Sequence, residues 1–152
     1  MGFAISARPL VLLVNVSQAI ELVGFELLDQ PARSQCEQLV KKLIPLLCLS
    51  GVRVRLVEVP PQHRGYGSKS LILSGLVNAL CDLAGADLSV LERQRLTGRG
   101  GTSGIGIHTF FEGGFVVDAG RRTGNETETL PSSAGAPQEL PTKIGRWPVE
   151  GL

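Results

Sequence analysis

A short segment rich in glycine, hydroxyl and basic residues separates two apolar runs, and its composition suits the binding of an anion. It reads Gly65-Tyr66-Gly67-Ser68-Lys69-Ser70. Glycines let the backbone approach a ligand closely, Lys69 supplies a full positive charge, and serine hydroxyls donate hydrogen bonds. The candidate contacts for a phosphate group are therefore Gly65, Gly67, Ser68, Lys69 and Ser70.

Two predicted elements would position this turn. Residues 52–59 alternate apolar with mostly charged side chains, which predicts a half-solvated strand that ends at two prolines. The apolar run over residues 71–80 predicts a helix that begins directly after the turn. First-turn N–H groups lack partners inside a helix, and its dipole contributes about 0.3–1 kcal/mol toward a bound anion. The segment lacks Walker A spacing, so an ordinary helix start with Lys69 in solvent is the alternative.

A second glycine-rich segment lies at residues 98–106, where five of nine residues are glycine, and we expect a loop shaped by its backbone. Its candidate ligand contacts are Arg99, Gly101, Thr102, Ser103 and Gly104. A ligand with two phosphate groups would suit both loops if the fold brings them together. The alternative is two surface turns that share no ligand.

Local patterns predict the other elements. Residues 11–16 and 21–27 are candidate strands, and Pro31 begins an amphipathic helix that ends before Gly51. The capping box Ser89-Val90-Leu91-Glu92 opens a further helix. A turn at residues 113–114 leads into a short buried strand, and residues 119–152 are predicted to be mostly irregular.

Composition excludes several classes of protein. The 152 residues are 43% hydrophobic and 19% charged with a net charge of +1, which is typical of a globular domain that binds neither nucleic acid nor an anionic membrane. The three cysteines form no C-x-x-C pair, which favours a reduced, cytoplasmic protein. No spacing suits a zinc site. His63 is a candidate anion contact, whereas His108 suits a partly buried helix equally well.

The motifs resemble those of a known family. Residues 60–80 resemble the phosphate loop and helix of the GHMP kinase superfamily, where a Pro-x-x-x-Gly-Leu-Gly-Ser-Ser type motif holds nucleotide phosphates. Residues 96–106 (LTGRGGTSGIG) and 111–120 (FEGGFVVDAG) resemble one branch, the β-ribofuranosylaminobenzene 5′-phosphate synthases, and Gly67-Ser68-Lys69-Ser70 also fits that branch. The resemblance covers residues 50–120 well.

The resemblance implies an α+β fold of the GHMP-kinase N-terminal type, with a left-handed β-α-β unit and a mixed sheet carrying helices on one face. It implies that phosphoribosyl pyrophosphate condenses with a hydroxy- or aminobenzoate in tetrahydromethanopterin biosynthesis, releasing CO2 and pyrophosphate. The loops at residues 65–70 and 99–104 would then hold the ribose phosphate and the pyrophosphate, with Mg²⁺ as a candidate ion for neutralising the latter. The catalytic residue is not indicated.

An ATP-dependent small-molecule kinase of the same superfamily is the first alternative. Related kinases often carry an aspartate two residues after a Ser-Gly pair, to accept the proton of the attacking hydroxyl or to orient it. That position is Gly106 here, which cannot act as a base. Asp118 lies twelve residues further on and is not an obvious substitute, so kinase chemistry is disfavoured.

The second alternative is a non-catalytic fragment, because the chain is short for this family. We expect residues 1–120 to form the GHMP-type domain without its first strands, and residues 121–152 to be the start of a truncated second domain. Missing sheet partners would leave strand edges open, which favours a homodimer. The expected partner is a small phosphorylated substrate.

Overall fold

The structure, a computed structural model, describes residues 1–4, 9–100, 103–120 and 140–149. The chain divides into two compact units. We call Ala7–Thr97 the central unit, and Met1–Ser6 together with Gly98–Leu152 the terminal unit. The predicted domain boundary at residue 120 stays a prediction.

A mixed sheet forms the base of the central unit. Its described strands are β2 (Val11–Val16), β3 (Ile20–Val23) and β4 (Val52–Glu58), in the order β2-β4-β3. The middle strand, β4, pairs antiparallel with β2 and parallel with β3. Alternate side chains of β4 are buried and exposed, as its sequence pattern predicts.

Strand β3 ends earlier than its apolar pattern predicts. Gly24 has a left-handed backbone with φ of +82°, and a Cβ there would collide with the Leu56 carbonyl oxygen. The chain therefore turns into a short 3-10 helix at Phe25–Leu27, where Phe25 is buried in the core. The strand ends where Gly24 lies close to the backbone of Leu56, although the side chains after Gly24 favour an extended conformation.

Two long helices complete the core of the central unit. They are α1 (Gln30–Leu46) and α2 (Ser68–Leu83), and their buried faces share one hydrophobic cluster with β4. The N-cap of α1 is Asp29, whose carboxylate accepts the Ala32 N–H at 2.7 Å. Gly75 lets α2 pack closely against Leu10, whose Cδ2 would lie 2.6 Å from a Cβ added there.

The capping box at Ser89 forms as predicted and opens helix α3 (Val90–Leu96). The Ser89 side chain accepts the Glu92 N–H, and the Glu92 carboxylate accepts the Ser89 N–H at 2.8 Å. Local sequence was sufficient here because every partner in the box lies within four residues.

The terminal unit contains an antiparallel sheet in the order β1-β5-β6 and one described helix. The elements are β1 (Gly2–Phe3), α4 (Ile105–Glu112), β5 (Phe115–Asp118) and β6 (Lys143–Trp147). Ile107 and Val116 are fully buried in it. In no described part of the chain is a helix long and apolar enough to cross a membrane.

One expectation for this unit was wrong. The predicted loop does not extend to Gly106, because α4 begins at Ile105. Gly106 is the second residue of this helix, and the two residues after it, Ile107 and His108, are buried. The tail that was predicted to be mostly irregular contains the short strand β6, which pairs with β5. Most of this tail lies outside the described residues, so that expectation stays a prediction.

Candidate functional site

The turn before α2 has an open, left-handed backbone. Gly65 and Gly67 have φ of +79° and +63°, and no described atom lies within 4 Å of a Cβ built on either. Glycine is therefore favoured at both positions by backbone conformation and not by a lack of space. Gly67 is the N-cap of α2 and contributes no side-chain acceptor to the first-turn N–H groups. A helix start of this kind favours a nearby anion, because its first N–H groups lack partners inside the helix.

The side chains of the first turn are less exposed than those of the loop before it. Ser68 is buried, with 7% of its surface exposed, and Lys69 and Ser70 are half-buried. Arg64 and Tyr66 are exposed. The predicted contacts at residues 65–70 therefore include exposed backbone at Gly65 and Gly67 and the half-buried Lys69 and Ser70, whereas Ser68 is buried.

Side chains tie the front of this turn to the start of α1. His63 Nε2 lies 2.7 Å from the Asp29 carboxylate, and the Gln62 amide accepts the Asp29 N–H at 3.3 Å. Gln62 Nε2 donates to the Leu27 carbonyl at 3.2 Å. The sequence indicated His63 as an anion contact, and its anionic partner in the structure is Asp29.

Electrostatics around Asp29 favour its charged form. Its hydrogen bond from the Ala32 N–H, followed by that from His63, lowers the pKa of the Asp29 carboxyl. Lys69 adds a smaller attraction in the same direction. Asp29 therefore contributes a negative charge near His63 and Lys69.

The second candidate loop has a different arrangement. Arg99 is half-buried, and burial lowers the pKa of its guanidinium, which nevertheless stays charged at neutral pH. Gly101 and Thr102 lie outside the described residues. Gly104 is the buried N-cap of α4, and Ser103 precedes it on the surface.

Asp118 binds the donors that the sequence analysis assigned to a ligand. Its Oδ2 accepts the Gly104 N–H at 2.6 Å and the Ser103 hydroxyl at 3.2 Å. The Ser103 hydroxyl oxygen in turn accepts the Ile105 N–H at 3.3 Å. A carboxylate thus already occupies the start of α4.

Sequence reasoning missed this role of Asp118, although a length argument could have found it. A helix of eight residues rises about 12 Å, and a strand of four residues spans about 13 Å. A chain that reverses between α4 and β5 therefore returns the end of the strand to the start of the helix. Asp118 is the last residue of β5, and Gly113 and Gly114 make the reversal with φ of +63° and +76°.

The buried His108 of α4 contacts Pro141, which lies just before β6. His108 has 7% of its surface exposed, and its Nε2 lies 3.2 Å from the Pro141 carbonyl. Its Nδ1 is 3.4 Å from the Glu112 carboxylate, which also pairs with Lys143. Burial opposes the charge of Glu112, but the bonds from Lys143 and His108 outweigh it and lower the pKa of that carboxyl. His108 is thus a structural helix residue, the second of the two predicted interpretations.

The two candidate loops fall in different compact units, since Lys69 belongs to the central unit and Arg99 to the terminal unit. A ligand shared between them stays a prediction. Within the described residues no group of three or more His, Cys, Asp or Glu side chains could hold a metal ion. The loops instead present cations, hydroxyls and backbone N–H groups.

Comparisons with known proteins point to one activity. No family model matches the chain. A β-ribofuranosylphenol 5′-phosphate synthase of Archaeoglobus fulgidus is 32% identical over 124 residues, which is 82% of this chain and 40% of that relative. The synthase of the same name from Methanothermobacter thermautotrophicus is 37% identical over 87 residues, 57% of this chain and 26% of the relative.

A third synthase of that name, from Methanocaldococcus jannaschii, is 31% identical over 96 residues, 61% of this chain and 29% of the relative. The chain therefore spans less than half the length of each of these curated relatives. The resemblance predicted from the sequence is confirmed, and the chain is a homologue of part of the β-ribofuranosylphenol 5′-phosphate synthases.

Proposed function

We propose that this chain forms the phosphate-binding part of a synthase that condenses phosphoribosyl pyrophosphate with a hydroxybenzoate. The observation that carries the proposal is the turn at residues 65–70. It places open left-handed glycines, Lys69 and the first-turn N–H groups of α2 together, with no carboxylate cap from its N-cap residue. The name of these relatives specifies a phenol, which is what a hydroxybenzoate becomes when it loses CO2.

The proposed reaction needs donors and positive charge more than a strong base. The ring carbon that carries the carboxylate bonds to the anomeric carbon, and pyrophosphate leaves with the electron pair of the broken C–O bond. Departure of CO2 then returns its bonding pair to the ring and restores aromaticity. Preorganised cations and N–H groups stabilise the charge that develops on the leaving diphosphate. Lys69 and the start of α2 supply such groups.

The loop at residues 99–104 has a narrower role in this proposal than its composition suggested. Arg99 supplies positive charge, and Gly101 and Thr102 remain candidate contacts. Ser103 and Gly104 donate to Asp118 in the structure, so they would contact a phosphate only after that carboxylate moves. The start of α2 is therefore the primary phosphate site.

The fold we propose is the GHMP-kinase N-terminal type. Its support is the β3-α1-β4 unit with parallel neighbouring strands, together with helices packed on the buried face of a mixed sheet. The left-handedness of that unit, a homodimeric assembly and a cytoplasmic location belong to the same proposal. Mg²⁺ would enter as a companion of the diphosphate, because this ion is bound largely by substrate phosphates and water.

Calorimetric titration of phosphoribosyl pyrophosphate into the chain tests the proposal. We expect Lys69→Ala to weaken binding about tenfold or more, since a hydrogen bond to a charged group contributes about 1.5–3 kcal/mol. Lys42→Ala is the matched control, because Lys42 is an exposed lysine of α1. Equal affinities of the two variants would contradict the assigned site. Tight binding of ATP with phosphate transfer would instead favour the kinase alternative.

Activity is measured separately, by incubating the protein with phosphoribosyl pyrophosphate, 4-hydroxybenzoate and Mg²⁺. Release of CO2 and pyrophosphate in equal amounts is expected of the synthase reaction. Binding without release would leave this chain with the phosphate site and assign the chemistry to the remainder of the relatives' length.

A further inference from the structure

We infer that Asp29 is a positioning residue that holds the turn at residues 62–67 in the shape that receives an anion. Asp29 lies in another element, at the start of α1, and is 33 and 34 residues from its partners Gln62 and His63. The ligand in this inference rests on the proposed function, whereas the contacts do not.

Two successive residues of the turn, Gln62 and His63, contact the start of α1 through their side chains. The Gln62 amide accepts the Asp29 N–H with its oxygen and donates to the Leu27 carbonyl with its nitrogen. His63 Nε2 contacts Asp29 Oδ2 at 2.7 Å, and because a carboxylate only accepts, this nitrogen carries the proton. Three polar contacts thus join the turn to one point of the fold.

The backbone conformation of the turn explains why these side-chain contacts are needed to order it. His63 has φ of +58°, a left-handed conformation that side chains other than glycine rarely adopt. Gly65 and Gly67 follow with the same sign of φ and have open space around them. Glycines lose much conformational freedom on ordering, so a turn with two of them tends toward many shapes. Side-chain bonds to Asp29 select one of these shapes.

The two oxygens of the Asp29 carboxylate have different hydrogen-bond partners. Its Oδ1 caps α1 through the Ala32 N–H, and its Oδ2 holds His63. Its negative charge is also close enough to Lys69 to attract that ammonium group. Asp29 therefore orders the backbone before α2 and biases the cation at the start of α2.

Three variants separate these contacts. Asp29→Asn keeps an oxygen that can cap α1 and removes the charge that holds His63. Gln62→Ala and His63→Ala each remove side-chain contacts between the turn and the start of α1. Both leave the Asp29 cap of α1 intact. Glu21→Gln is the matched control, because Glu21 also accepts from two side chains, Ser17 and Arg53, but lies on β3.

Two measurements are made on the full chain and each variant, namely amide hydrogen exchange over residues 62–70 and calorimetric binding of inorganic pyrophosphate. Asp29→Asn and Gln62→Ala are expected to raise exchange in the turn at least tenfold and to weaken pyrophosphate binding several-fold. Both variants should still unfold cooperatively on heating, with a lower melting temperature for Asp29→Asn because the charged carboxylate contributes stability at neutral pH. Combining Asp29→Asn with His63→Ala should add little to either single change, because both break one contact.

The inference would be overturned if amide hydrogen exchange in residues 62–70 were equally fast in Asp29→Asn and Glu21→Gln. Strictly additive effects of Asp29→Asn and His63→Ala on exchange would also overturn it. If exchange rises as expected but the parent chain binds no pyrophosphate, the positioning role is supported and the proposed function is contradicted. The two failures are therefore distinguishable.

Discussion

Asp118 Oδ2 accepts the backbone N–H of Gly104 at 2.6 Å and so caps α4 with a carboxylate from the end of β5. A helix start favours an anion, and here the chain provides its own. The glycine-rich composition of residues 98–106 suggests a ligand loop, but in this structure Gly104 donates to Asp118 of the same chain. The relationship gives a direct test of which loop donors reach a phosphate.

The first prediction concerns the charge of Asp118. Asp118→Asn keeps an oxygen acceptor for Gly104 and removes the negative charge that would repel a bound phosphate. If Ser103 and Gly104 donate to the ligand, pyrophosphate binding should tighten several-fold in calorimetry. Asp118→Ala should instead lower stability by about 1 kcal/mol through loss of the cap. Unchanged affinity in Asp118→Asn would remove Ser103 and Gly104 from the site.

The second prediction concerns acid stability. Hydrogen bonds from the Ala32 N–H and from His63 lower the pKa of Asp29 in the folded state. A lowered folded pKa gives stability that is present above the unfolded value of about 3.9 and is lost as pH falls through the folded value. Urea unfolding from pH 6 to pH 3 should therefore show a smaller loss for Asp29→Asn than for the parent chain.

Other carboxyls, including Glu21 and Glu92, also have lowered pKa values and contribute to the acid loss of the parent. The difference between Asp29→Asn and the parent isolates the contribution of Asp29. Parallel curves for the two proteins would show that the Asp29 contacts do not form in solution.

The third prediction concerns the three cysteines. Burial raises the pKa of the Cys36 thiol to about 12 and also raises that of Cys81, whereas Cys48 is exposed. The thiolate is the reactive form, so a disulfide reagent at pH 8 should titrate one thiol in the native protein and three after denaturation. Cys48→Ser should abolish the native reaction. Rapid native reaction of two or more thiols would contradict the packing of α1 and α2.

The fourth prediction compares two left-handed glycines. Gly65→Ala introduces backbone strain of about 1–2 kcal/mol in open space. Gly24→Ala adds a collision with the Leu56 carbonyl and should cost more than about 2 kcal/mol in urea unfolding, because backbone must move. Equal costs would show that β3 and β4 do not approach closely at Gly24.

Elements with local signals were predictable from residue order alone. The capping box at Ser89, the proline-led start of α1 and the alternation along β4 are each specified within a few neighbouring residues. The turn at residues 65–70 belongs to this class, since glycine spacing and the apolar run after it place the turn before a helix. The mixed sheet was implied by the family resemblance, whereas the pattern of β4 by itself predicts only a half-solvated strand.

Contacts across long stretches of chain depended on tertiary structure. The end of β3 at Gly24, the pairing of β6 with β5, the Asp118 cap and the tie from His63 to Asp29 join residues 14 to 34 positions apart, or depend on a neighbouring strand. Residue order sets the preferences of neighbouring positions through sterics and capping. Which distant groups meet is decided when burial of apolar faces fixes the topology, because only then do polar groups acquire their partners.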